Sequence, residues 1–359
     1  MALPFLNNPR AKRDSIIAVD LGGRTTKAVH LHKKGDKFVL SGYALLDAPI
    51  YEKSLSAEML AEHLKSVCQT LNARTKLLAL TIGVNDSLVR HVELPVMPVD
   101  DMRQVLRMNS KNYLQQDFGN HVFDCFAAAA RPKAGAPAEP VAKPQAGSPK
   151  QRVLVGGAKR QLVDDLQEAA KSAGLIADAI VPSLIGPINA FELAMPEVFA
   201  KENVALIDLG FKNTTISILQ EGDLALSRTV AIGGDKLTAT LAEAMGISYA
   251  EADGIKVGMP TEVQPHLESI VTTLGRELRA SVDYFEHQSD RAVSQVFVSG
   301  AASGSQTILQ LLQAELMAEC KTWNPACLAQ LALPAHQMAE LEMVSHQLPV
   351  ALGAAVTSL

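Results

Sequence analysis

One short pattern occurs twice in this chain, 188 positions apart, and it limits the possible folds more than any other feature. The first copy runs Ile16-Ile17-Ala18-Val19-Asp20-Leu21-Gly22-Gly23-Arg24-Thr25-Thr26-Lys27, the second Ala205-Leu206-Ile207-Asp208-Leu209-Gly210-Phe211-Lys212-Asn213-Thr214-Thr215. Superposing them places Asp20 on Asp208, Leu21 on Leu209, Gly22 on Gly210 and Thr26 on Thr214. Each copy reads as an apolar strand with an acid at its tip, a glycine turn and a hydroxyl-rich exit. An acid at a strand tip can orient a hydrated metal ion. Glycines let backbone amides approach a phosphate, to which hydroxyls and Lys27 add donors and positive charge. Two such turns, one in each half, predict two related domains facing a shared ligand.

Composition agrees with this division. A chain of 359 residues exceeds one ordinary core and suits two domains. A net charge of −5 gives no general attraction to nucleic acid. Cys68, Cys125, Cys320 and Cys327 are scattered without a Cys-x-x-Cys pair, which argues against a zinc site or a secreted disulfide framework. No run of some twenty apolar residues suggests a membrane span, and residues 1–13 lack the apolar core of a signal peptide. The expected location is therefore the cytoplasm, with any membrane role coming through a partner.

Periodicity divides the chain further. After the first turn, 28–32 and 38–43 alternate as an antiparallel meander, and Ser56 caps a helix with Leu60, Leu64, Val67 and Leu71 on one face. Strands are expected over 76–84 and 89–94, completing a first domain segment, 1–94. Pro95 and Pro98 interrupt the pattern; helix 99–114, strand 122–130, strand 151–155, helix 159–173 and strand 175–181 then read as an inserted small α/β domain, 95–181. Within it, 131–150 carries five prolines among Ala, Gly and Lys and reads as an exposed loop. A helix over 182–202 crosses to a second domain, 203–335, and 336–359 returns to the first.

Further pieces suit a nucleotide. Gly233 and Gly234 precede a helix and offer amides at its positive end. Asp253 and Lys256 lie three apart on a predicted helix, spaced to hold ribose hydroxyls and a base edge. Ser299-Gly300-Ala301-Ala302-Ser303 follows a buried strand, where small residues admit a flat base. Asp20 and Asp208 suit magnesium, which keeps several waters and needs only one or two carboxylates. Each piece alone has a plainer explanation as a turn or a solvated ion pair; their order along the chain is the more specific signal.

That ordered set resembles the actin-like ATPases, and among them the PilM family of type IV pilus assembly proteins, relatives of the division protein FtsA. The resemblance rests on Asp20-Leu21-Gly22 with Thr26-Lys27, Glu93-Leu94-Pro95 with Met97-Pro98, and Asp208-Leu209-Gly210 with Thr214-Thr215. It continues through Gly233-Gly234-Asp235-Lys236, Glu251 to Lys256, Ser299-Gly300-Ala301 and the closing Ala351-Leu352-Gly353. It implies an α/β actin-like ATPase fold: two related domains, each with a five-stranded sheet, around a nucleotide cleft, plus an FtsA/PilM-type inserted small domain. It implies ATP held by Asp20, Gly22, Gly23, Thr25, Thr26, Lys27, Asp208, Gly210, Asn213, Thr214, Gly233, Gly234, Asp253, Lys256, Gly300 and Ala301. Mg²⁺ would sit at Asp20 and Asp208 through water.

The resemblance further implies an assembly scaffold, at most a slow ATPase, with no residue evident to position an attacking water. Its partner would be the cytoplasmic tail of a PilN-like inner-membrane protein, lying in a groove between the small domain and the first half, and self-association is a further expectation. The protein would be cytoplasmic and peripheral at the inner membrane through partners, in a type IV pilus or type II secretion-like machine. The chain departs from the family where Ala301 and Ala302 replace glycines, since methyls there would crowd a base. Two alternatives stay open: a nucleotide-free pseudo-ATPase scaffold, and a small-molecule kinase of the same superfamily.

Overall fold

The computed structural model describes residues 1, 3, 5, 13–49, 56–127, 149–258 and 260–359, without the side chains of 257, 258, 260 and 261. Most of the Pro-rich stretch, and the expected end of the strand at 128–130, lie outside these residues. The chain begins with β1 (Ser15–Leu21), β2 (Thr25–Lys34) and β3 (Lys37–Asp47), the expected meander, then α1 (Ala57–Leu71) and β4 (Leu77–Ile82). In α1 the Ser56 hydroxyl accepts the Met59 amide at 3.2 Å, and Leu60, Leu64, Val67 and Leu71 are buried. Next come β5 (Ser87–Pro95), α2 (Val99–Leu114), β6 (His121–Ala127), β7 (Lys150–Lys159), α3 (Arg160–Ser172) and β8 (Ile176–Pro182). Helices α4 (Ile185–Ala194) and α5 (Pro196–Lys201) cross to the second half.

That half repeats the opening: β9 (Asn203–Leu209), β10 (Thr214–Gln220), β11 (Asp223–Val230), then α6 (Gly234–Met245), α7 (Tyr249–Gly258) and α8 (Pro260–Ser289). The chain ends with β12 (Gln295–Ser299), α9 (Gln306–Leu316), β13 (Cys320–Thr322), β14 (Gln330–Leu331), α10 (Ala335–Val344) and α11 (Pro349–Ser358). Among the described residues the strands form three sheets, ordered β14-β3-β2-β1-β4-β8, β11-β10-β9-β12-β13 and β5-β7-β6. The internal duplication is visible in the first two. Around β1 and around β9 the neighbours match strand for strand, and β14 adds a sixth strand to the first sheet.

Sheet membership differs from the expected insertion at 95–181. The small sheet takes all of β5 and gives up β8, which pairs in parallel with β4 (Leu77 with Ile176, Leu80 with Ile180). Helix α3, just before it in the chain, joins the same layer, burying Val163, Leu166, Ala169 and Ala170 with Ile17 and Val19 of β1 and Leu64 of α1. The reason lies in the pattern of β8: Ala179, Ile180 and Val181 are buried in succession, as a strand covered on both faces requires.

Alternation along β1 and β9 divides the core. Ile17 and Val19 face α1 and α3, whereas Ile16 and Ala18 face Ala351 and Leu352 of α11. In the second half Ile207 packs with Val271 and Leu274 of α8, while Val204 and Leu206 share a core with Ile188 and Phe191 of α4. Helices α4 and α11 thus lie between the two sheets. They touch backbone to backbone: a Cβ added to Gly353 would collide with the Gly186 carbonyl, and one on Gly186 would fall 2.6 Å from the Val350 carbonyl oxygen. This crossing aims the tips of β1 and β9 at one gap.

Candidate functional site

Both acidic turns close in the same way. The Gly22 amide donates to the Asp20 carbonyl at 3.0 Å, and the Gly210 amide to the Asp208 carbonyl at 3.1 Å. A Cβ on Gly22 would strike the Thr25 carbonyl and lie 2.7 Å from Lys27 Nζ; one on Gly210 would lie 2.8 Å from the Asn213 carbonyl oxygen. Glycine is therefore required by close approach in each. Register then places the charges. Asp20 pairs with Lys27 across the β1–β2 ladder, so both side chains share a face, and Lys27 Nζ donates to Asp20 Oδ2 at 3.1 Å. The other oxygen, Oδ1, accepts from Thr81 Oγ1 at 3.1 Å. In the second half Asp208 Oδ1 accepts from Ser299 Oγ at 2.9 Å.

The two halves meet at these tips. A Cβ on Gly23 would lie 3.3 Å from the Phe211 ring, and Lys27 interacts electrostatically with both Asp20 and Asp208. Burial alone would lower the Lys27 pKa, but the two carboxylates more than offset it and hold the ammonium above its ordinary value. Burial pushes Asp208 up, and Asp20 adds repulsion, against the opposing pull of Lys27 and Ser299. Two carboxylates around one ammonium leave a deficit of positive charge where the domains face each other.

Several expected ligands turn elsewhere. A strand alternates its side chains, so Thr26 cannot share the face of Lys27. It is 1% exposed and bonds His63 Nε2 of α1 at 2.8 Å. Thr214, equivalent by the repeat and fully buried, donates to the Ile232 carbonyl at 2.6 Å. Thr25 shares the Lys27 face, and Asn213 is half-buried in the second turn. The amides at the start of α6 are not open as expected: Gly234 donates to the Gly210 carbonyl at 2.9 Å and Asp235 to the Phe211 carbonyl at 2.8 Å. Gly233 is needed instead because a Cβ there would strike Phe211's carbonyl. The second turn therefore caps α6.

Asp253 and Lys256 are joined to their own domain. Lys256 Nζ donates to Thr238 Oγ1 at 2.6 Å and to Asp253 Oδ1 at 2.9 Å. Arg24, which the sequence did not single out, reaches across from the first turn to Asp253 Oδ2 at 3.2 Å. Burial raises the Asp253 pKa, but Lys256, Thr238 and Arg24 outweigh it and hold the carboxyl below the usual range. Gly300 has φ +92°, and a Cβ on it would strike the Leu209 carbonyl. Beyond it 301–304 form a single 3₁₀ turn. Ala302 is 6% exposed and packs with Val298 and Ile308, so its methyl lies in the domain core while Ala301 is exposed.

The donor set decides which metal these residues suit. Among the described residues no group of three or more His, Cys, Asp or Glu side chains converges as a metal site. A pair of carboxylates is too few for zinc or calcium, yet fits magnesium carrying its own waters and taking phosphate oxygens. The glycine turns beside the pair allow close approach of backbone.

Two matched sheets with acid-tipped turns, crossed helices between them and an added small sheet are the features of the actin-like ATPase fold. The chain belongs to the type IV pilus assembly protein PilM family, whose description matches residues 139–359. Over 98% of this chain and 99% of the other, the structure is similar to that of a PilM-PilN type IV pilus biogenesis complex, with TM-score 0.80 and 19% identity. The ethanolamine utilization protein EutJ from Carboxydothermus hydrogenoformans is similar at TM-score 0.57 and 12% identity, over 98% of this chain and 92% of that one. The cell division protein FtsA of Bacillus subtilis is 29% identical over 103 residues, 29% of this chain and 22% of FtsA. This chain thus spans about a fifth of the length of that curated relative. No helix among the described residues is long and apolar enough to cross a membrane.

Proposed function

We propose that this protein is a cytoplasmic ATP-binding scaffold of a type IV pilus or type II secretion-like machine, recruiting the tail of a PilN-like inner-membrane protein. The observation that carries the reading is the shared cation. Lys27 of one domain balances Asp20 beside it and Asp208 of the other domain, so whatever alters that charge balance alters how the domains face each other. Bound Mg²⁺-ATP would supply a divalent cation and a polyanion to this balance. Asp20 and Asp208 would hold the hydrated metal, while Gly22, Gly23 and Gly210 allow the triphosphate near backbone amides. Thr25, Asn213, Lys27 and Arg24 would add donors, and Gly300 and Ala301 would border the base.

A slot of about 260 Å³ supports the partner reading. Val84 and Leu184 of the first domain, Leu88 and Arg90 of β5, and Ser227 and Arg228 of β11 line it. Both β5 and β11 are edge strands, and an extended tail can add backbone hydrogen bonds to such an edge while seating apolar anchors. Because its walls come from both halves and the small sheet, domain closure would change its width. A ligand shifts the equilibrium only as far as it prefers one of the two states.

Calorimetric titration with Mg²⁺-ATP tests the nucleotide part. Binding is expected, and Asp208→Ala should weaken it about tenfold or more, in line with loss of a metal-holding group. No binding by the wild-type chain would contradict it. That outcome would favour a nucleotide-free scaffold, for which the close approach of the Phe211 ring to the first turn is the motivating observation, a Cβ on Gly23 falling 3.3 Å from it.

A further inference from the structure

Two hydroxyls outside both acidic turns occupy matching places in the duplicated fold. Thr81 is the penultimate residue of β4 and Ser299 the last of β12, the parallel neighbours of β1 and β9. Ser299 is the register partner of Asp208, and Thr81 stands one residue beyond the Val19–Leu80 pair, level with Asp20. Both are deep in the molecule, at 3% and 2% exposure. A hydroxyl so placed is costly unless it is bonded, and the same strand faces otherwise carry Ala79 and Phe297, which are fully or nearly fully buried. Each hydroxyl bonds the same carboxylate atom, Oδ1, of its own strand-tip acid, at 3.1 Å and 2.9 Å. Ser299 Oγ lies 3.3 Å from the Ile207 carbonyl as well.

We propose that Thr81 and Ser299 are a symmetric pair of positioning residues, which fix Oδ1 of Asp20 and Oδ2's partner atom in Asp208, its Oδ1, so that both carboxylates present their remaining oxygen to one cation between the domains. In this structure that cation is Lys27, which holds Asp20 Oδ2; with nucleotide it is the hydrated magnesium of the function proposed above, on which this inference rests. The residues act through the acids and touch no ligand themselves.

The test separates metal from nucleotide. Affinity for ATP is measured by titration with excess Mg²⁺ and again with EDTA, for wild type, Thr81→Val, Ser299→Ala and Thr81→Ser, with thermal melting of each. Thr81→Val and Ser299→Ala should each lose about tenfold of the gain in affinity that Mg²⁺ confers, the scale expected when the group orienting a metal ligand is removed. Affinity in EDTA should stay within about twofold, and Thr81→Ser should restore the gain. Equal losses with and without Mg²⁺, an unchanged gain, or failure of Thr81→Ser to rescue would each overturn the proposal while leaving nucleotide binding intact. Wild type that binds ATP in neither condition would instead overturn the nucleotide reading and this inference together.

Discussion

The two halves share one backbone device and differ in one charge. β1 and β9 end in the same acid-glycine turn, and each acid takes a hydroxyl from the next parallel strand. Yet the position of Lys27 in the first half is occupied by Thr215 in the second. Asp20 therefore has its counter-ion within its own hairpin, whereas Asp208 depends on the lysine of the other domain. Duplication fixed the geometry, and the loss of symmetry in charge left the second half without a counter-ion of its own. A domain that must borrow its counter-charge is coupled to its neighbour electrostatically as well as through the α4–α11 crossing.

Removing the shared cation should break this arrangement most severely. Lys27→Met leaves the buried Asp20 and the half-buried Asp208 facing each other without their cation, and loss of one partner of a buried pair costs about 3–5 kcal/mol, an upper bound here. Denaturant unfolding at neutral pH should show a loss of that order, partly recovered on adding Mg²⁺. A change below about 1 kcal/mol would show that the lysine is not the counter-charge.

Acidity should sharpen the contrast between the acids. The folded pKa of Asp208 lies above its ordinary value of 3.8, so the folded state holds this proton more tightly than the unfolded chain. Its contribution favours folding at acid pH and is lost as pH rises from 3.8 through the raised value. Asp208→Asn, neutral throughout, should therefore be at its most favourable relative to wild type at neutral pH, and that advantage should shrink as pH falls. A pH-independent difference between the two unfolding curves would contradict the assignment.

The smallest effect belongs to the bridge at the cleft mouth. Arg24 is more than half exposed, and an exposed pair contributes about 0.2–1 kcal/mol, less in salt. Arg24→Ala should shift unfolding by no more than that, with the difference fading at high ionic strength. A larger, salt-independent loss would mean that Arg24 holds the halves together by packing.

Much of this was legible in the chain. The repeat located β1 and β9, and strand alternation puts Asp20 and Lys27 on one face, where both interact with Asp208. The same alternation contained a correction that the motif obscured: Thr26 next to Lys27, and Thr214 next to Thr215, must point to the opposite face. Other features had no local signal. Thr81 and Arg24 gain their meaning from strands and loops far away in sequence. The apolar run of β8 fits a strand covered on both faces, but only its pairing with β4 shows which sheet it joins. Ala302 looked like a departure from a glycine loop, and only the 3₁₀ turn shows its methyl to be part of the core.

The central claim, one lysine shared by acids of two domains, is tested most directly by a double-mutant cycle. Unfolding free energies of wild type, Lys27→Met, Asp208→Asn and the double variant give the coupling between residues 27 and 208. The loss caused by Lys27→Met should be smaller once Asp208 is neutral, with a coupling of about 1 kcal/mol or more; additivity within about 0.5 kcal/mol would mean the two domains do not share this charge.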